Sequence, residues 1–181
     1  TWDELLKLSD TIAKSGKVDK PWCVGFESGD ASGWPGTDWI EDIMLRTQGV
    51  ETYDQWWKHE IPFNDPKVVD AFDKAGAVLK NEAFVNGGTG DVKSIATTAF
   101  QDGGKPIVED QCAMHRQASF YANQWPEGTK VSEDGAVTCA PPAAVVGLLA
   151  QEPDRRDDES VAEFIGRRTG VAAATAEMDD A

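Results

Sequence analysis

The sequence predicts an α/β domain in which helices outweigh short strands. Apolar residues recur at helical spacing in three stretches, near 2–15, 38–48 and 66–80, and two short β-leaning runs lie at 21–27 and 106–110. The chain has 181 residues, 40% of them hydrophobic, with 7 Trp. That is enough apolar material to bury a core, which excludes a wholly disordered chain.

Each element has a local reason. Thr1 and Glu4 form a capping box, Leu5, Leu8 and Ile12 line one helix face, and Gly16 ends that helix. PWCVGFE (21–27) is bounded by turn residues and reads as a strand; SGDASGWPG (28–36) reads as a loop. Asp38 and Glu41 repeat the capping spacing, so a second helix is expected from Asp38, with Ile40, Ile43, Met44 and Thr47 inside and Gly49 closing it. TYDQWWKHE (52–60) reads as a short helix. Asn64-Asp65-Pro66 starts another, because proline's missing N–H costs nothing in a first turn, and Val68, Phe72, Ala75 and Leu79 form its stripe. NGGTG (86–90) is a turn, 91–101 a helix, PIVED (106–110) a strand and 114–123 a last helix.

The basic residues change type along the chain. Residues 1–139 hold 11 Lys and 2 Arg; residues 140–181 hold 4 Arg, no Lys and 10 Ala. This sets a boundary between a body, 1–139, and an Ala/Asp/Arg-rich tail, 140–181. The tail reads as a solvated helical appendage, a linker, or the product of a shifted reading frame in GC-rich DNA.

A net charge of -15 opposes nucleic-acid phosphates and anionic lipid heads. No apolar run is long enough to span a membrane. There is no phosphate-binding P-loop, and Asp91 after GGTG would repel a phosphate. The cysteines lack a C-x-x-C pair, and His59 and His115 lack ligands at metal spacing. No G-x-S-x-G elbow is present. Neither a metal nor a cofactor enters the reading.

The informative segment is ESGDASGWPGTDWIE, Glu27 to Glu41. It places Trp34 and Trp39 around Thr37 and Asp38 at a helix start. That chemistry suits a sugar: C–H faces pack on aromatic rings, and hydroxyl edges take carboxylates, amides or guanidinium groups. Glu27 adds a carboxylate, and His115-Arg116-Gln117 before Phe120 and Tyr121 adds donors. The plainer alternative makes the tryptophans core anchors and Asp38 an N-cap.

PWCVGFESGDASGWPGTDWIEDIMLRTQG, YDQWWKHEIPFNDPKVVDAF and CAMHRQASF together resemble solute-binding proteins of carbohydrate ABC importers (extracellular solute-binding family 1), especially the α-glucoside-binding group. The resemblance runs from Thr1 to about Thr138 and lapses in the tail. It implies most of the helix-rich C-terminal lobe of a periplasmic-binding-protein type II fold, with a first α/β lobe and an export or lipobox signal expected upstream. It further implies non-catalytic capture of an α-glucoside or similar oligosaccharide, delivery to importer permease subunits, and a periplasmic or extracellular location with lipid anchoring as one form. Trp34 and Trp39 would be stacking or wall residues, and Thr37 and Asp38 hydroxyl partners. Arg116, Gln117 and Glu27 are further candidates.

Export would tolerate a disulfide between Cys23 and Cys112, leaving Cys139 unpaired; two buried free thiols are the alternative. Two other functional readings stand beside capture. A glycosidase would need paired carboxylates, for which Glu27, Asp38 and Glu41 are available. An incomplete lobe that folds but binds little is the third.

Overall fold

The computed structural model describes residues 1–89, 91–132 and 134–138; Cys139 and the tail 140–181 lie outside the described residues. Helix α1 (Trp2–Ser15) begins with the Thr1–Glu4 capping box and stops at Gly16, whose φ of 66° suits glycine. Strand β1 (Lys20–Cys23) follows. A 3-10 turn at Gly29–Ala31 leads into α2 (Trp34–Gln48), which is followed by α3 (Val50–Trp57) and α4 (Pro66–Leu79). The Asp65 side chain caps α4 by accepting from Lys67 N at 2.9 Å, with Pro66 in the first turn. Strands β2 (Val85–Asn86) and β3 (Cys112–Met114) complete a three-stranded parallel sheet of order β2-β1-β3.

The register pairs Trp22 with Val85 and Met114, and Lys20 with Cys112. The core lies between the sheet and the helices α2 and α4. Trp22, Val24 and Val85 meet Trp39, Ile40, Ile43 and Met44 from α2 and Val68, Ala71, Ala75 and Val78 from α4. Helix α1 contacts β1, and one polar contact pins it there. Trp22 Nε1 donates to Ser9 Oγ at 2.9 Å, and Ser9 Oγ donates to Leu5 O at 2.8 Å, so the fully buried serine is satisfied in both directions.

Five expectations are corrected. Helix α2 starts at Trp34 and not Asp38: Gly33 supplies a φ of 99°, and Pro35 fits the first turn, so Asp38 is one turn inside and does not cap. The extended run beginning at 21–27 pairs as a regular strand only through Cys23 and ends in an isolated bridge at Glu27. On α4 the buried stripe is Val68, Ala71, Ala75 and Val78, while Phe72 is exposed and packs on Phe63 at 5.5 Å. PIVED forms a 3-10 helix (Lys105–Glu109) with Pro106 in its first turn, and the strand comes after it at Cys112–Met114. In place of the expected helices, 91–101 and 114–123 hold short 3-10 helices, Val92–Ala96 and Ser119–Asn123. No helix among the described residues is long and apolar enough to cross a membrane.

Candidate functional site

All three strands run in the same direction, so their C-terminal ends lie along one edge of the sheet. In open parallel sheets this edge is where ligands bind, at the point where connections diverge to either side of a strand. Here β1 is that strand, flanked by β2 and β3.

Each strand sends one aromatic residue to a common cluster. The segment after β1 delivers Trp34 at the start of α2, the segment after β2 delivers Phe100, and the segment after β3 delivers Phe120. The Trp34 ring centroid lies 5.0 Å from Phe100, edge-on, and 5.7 Å from Phe120; Phe100 and Phe120 are 6.1 Å apart. Trp34 and Phe100 are half-buried and Phe120 is exposed, so the cluster presents apolar ring surface to solvent.

Backbone contacts hold this wall. Glu27 N donates to Thr98 O and Phe100 N donates to Glu27 O, each at 2.9 Å, which fixes Phe100 beside the end of the β1 segment. Two glycines permit the approach. A Cβ on Gly25 would come 2.8 Å from Ala99 O, and one on Gly103 would come 2.6 Å from Gly25 N. The Glu27 carboxylate is turned locally, Oε1 accepting from Gly29 N at 2.6 Å. Gly33 N donates to Phe26 O at 2.9 Å, setting the entry angle of α2 and hence of Trp34.

The segment after β3 is held from below. Cys23 and Cys112 are joined by a disulfide between β1 and β3, and both are buried. His115 Nδ1 lies 2.9 Å from Cys23 O. A carbonyl only accepts, so the proton is assigned to Nδ1. The buried Tyr121 hydroxyl accepts from Gly104 N at 2.8 Å and donates to Gln101 O at 2.9 Å, joining this segment to the one that carries Phe100. Burial pushes the Tyr121 phenol up to about 12, and burial likewise lowers the His115 imidazole below its ordinary value.

The sequence-derived residues separate in space. Trp34, half-buried in the cluster, is available to a ligand. Trp39 is a core residue: it is 3% exposed, with the Trp22 ring against it at 5.3 Å. That corrects its expected place as a wall of the site. The Arg116 guanidinium lies over the Trp39 ring at 5.9 Å, and its Nε is 3.7 Å from Asp42, which also pairs with Arg46 at 2.8 Å. Thr37 is exposed and Asp38 half-exposed on the first turns of α2. Gln117 Oε1 accepts from the adjacent Ala118 N at 3.0 Å. Of the remaining carboxylates considered for a glycosidase, Glu41 accepts from the Tyr53 hydroxyl at 3.3 Å. The described residues hold no group of three or more His, Cys, Asp or Glu side chains placed for a metal ion.

Sequence reasoning missed Phe100, because 91–101 reads as a helix and its partners are distant in sequence. The Gly103-Gly104 pair was the available signal. A Cβ on Gly104 would lie 2.7 Å from the His115 ring, so that dipeptide marks close packing.

Comparison with known proteins agrees in one direction. The chain is 46% identical over 144 residues to the alpha-glucosides-binding periplasmic protein AglE of Rhizobium meliloti (strain 1021), covering 78% of this chain and 30% of that protein. It is 47% identical over 124 residues to the osmoprotective compounds-binding protein GgtB of Synechocystis sp. (strain ATCC 27184 / PCC 6803 / Kazusa), covering 67% of this chain and 28% of that protein. The matches thus span less than a third of either curated relative. No protein-family model matches the chain. No solved structure matches it.

Proposed function

The chain is a homologue of solute-binding proteins, and from that premise we propose that it forms one wall of a non-catalytic sugar-binding site, in a protein that captures an α-glucoside or related oligosaccharide for an ABC importer. One observation carries the reading: Trp34, Phe100 and Phe120 come from the segments that follow three parallel strands and meet in one ring cluster that exposes apolar surface. A pyranose packs its C–H face on such rings, and Thr37, Asp38, Arg116 and Gln117 offer donors and acceptors to its hydroxyl edge. Glu27 serves through its backbone, by holding Phe100. Trp39 serves as the ring beneath Arg116.

The names of the two relatives support capture over catalysis and place one of them in the periplasm. A periplasmic location, importer permeases as partners, and a second lobe supplied by further sequence belong to the same proposal. So does the division into a lobe at 1–139 and a separate tail at 140–181.

The test is fluorescence titration of this chain with maltose and longer α-glucosides, alongside Trp34→Ala. The reading predicts a saturable change with a dissociation constant on the order of millimolar, as befits one wall of a cleft, and no release of reducing sugar. Trp34→Ala should weaken binding at least tenfold. Turnover would support the glycosidase instead, and no saturable response to any α-glucoside would sink the proposal.

A further inference from the structure

His115 sits where the segment after β3 leaves the sheet, directly before Arg116 and five residues before Phe120. With Nδ1 donating to Cys23 O, the neutral ring carries its lone pair on Nε2, which is buried and has no hydrogen-bond partner among the described residues. The Tyr121 ring lies 4.6 Å away and the Trp125 ring 6.5 Å away. Tyr121 bridges to Gly104 and Gln101, so His115 is packed into the structure that supports both Phe100 and Phe120.

We propose that His115 is a positioning residue through which pH sets the aromatic wall: the neutral ring holds the segment after β3 against β1, and protonation at Nε2 releases it, moving Phe120 away from Trp34 and Phe100. A proton on Nε2 creates a buried donor with no acceptor among the described residues and a cation beside Arg116. The Cys23 carbonyl from β1 favours the cation, but burial outweighs it, and Arg116 opposes it. The Tyr121 hydroxyl is already bonded to Gly104 N and Gln101 O, Asp102 acts on that phenol, and Asp42 of α2 is engaged with Arg116 and Arg46. Burial lowers the imidazole, so release falls below its ordinary value of 6.5. The consequence for ligand rests on the sugar-binding reading above; the movement itself does not.

The experiment therefore uses the free chain without any sugar. 4-Fluorophenylalanine placed at position 120 is followed by fluorine NMR from pH 8 to pH 4, with the His115 ring protons followed in parallel. The proposal predicts that the fluorine resonance moves with the same midpoint as His115, and that this midpoint lies below 6.5. In His115→Asn, a side-chain N–H can still donate to Cys23 O but nothing titrates there; the fluorine resonance should hold its neutral-pH position and lose that pH response. A fluorine resonance that stays fixed while His115 titrates overturns the proposal, as does a wild-type pH response in His115→Asn. If that variant does not fold, the wild-type titration decides alone. Failure to bind α-glucosides would leave this result untouched, so the two readings fail separately.

Discussion

A single phenolic oxygen joins two segments of the site. Tyr121 accepts from Gly104 N in a buried setting and donates to the part-buried Gln101 O, so the Gly104 N–H has no water as a ready substitute. Tyr121→Phe keeps the ring and strands the Gly104 N–H. It should lower unfolding free energy by about 1–3 kcal/mol, read from urea transitions, and an unchanged midpoint would refute the role. The folded phenol titrates above the unfolded value of 10, near 12. The stability this hydroxyl contributes is therefore complete below pH 10 and is lost as the pH rises towards 12. Trp34 and Trp39 show how two similar residues divide their roles. Trp34 heads α2 and meets rings from other segments, while Trp39, five positions on, falls on the inner face against Trp22. Helical spacing alone assigns Trp39 inward together with Ile40, Ile43 and Met44. The loop-and-cap reading of 28–38 hid that arithmetic by starting the helix too late.

The three strands are four, two and three residues long, too short for a sheet that would stand alone. Helices α2 and α4 cover the core, and the Cys23–Cys112 disulfide closes an 89-residue separation between β1 and β3. Replacing both cysteines with alanine should cost about 2–5 kcal/mol and should expose amides of 112–118 to hydrogen exchange before those of α2. Uniform exposure of the whole chain would argue against so local a role. The long elements were legible because their signals are local: the Thr1–Glu4 box, Asp65-Pro66, and the glycines at 16 and 49 act within one turn. The short ones were not. PIVED has strand-like residues, yet Gly104 and Pro106 favour a tight turn there, and Cys112–Met114 becomes a strand only because β1 is available to pair.

The molecule places its candidate site by topology. One edge of a parallel sheet gathers residues 34, 100 and 120, which no sequence window contains. The Trp-rich loop singled out Trp34, which the fold places in the ring cluster, and the polar run singled out Arg116 and Gln117 as candidates. Phe100 was not, since its place depends on the Glu27 bridge and on the close approach of Gly25 and Gly103. A second aromatic group, Trp56 of α3, Phe63 between the helices and Phe72 within α4, is also partly exposed and offers the natural rival surface. The deciding measurement is NMR chemical-shift mapping of the chain during titration with maltose. The account predicts that the shifts concentrate at Trp34, Thr37, Phe100, Arg116 and Phe120 and follow one saturation curve. Shifts that gather instead at Trp56, Phe63 and Phe72, leaving Trp34 and Phe120 unmoved, would contradict it.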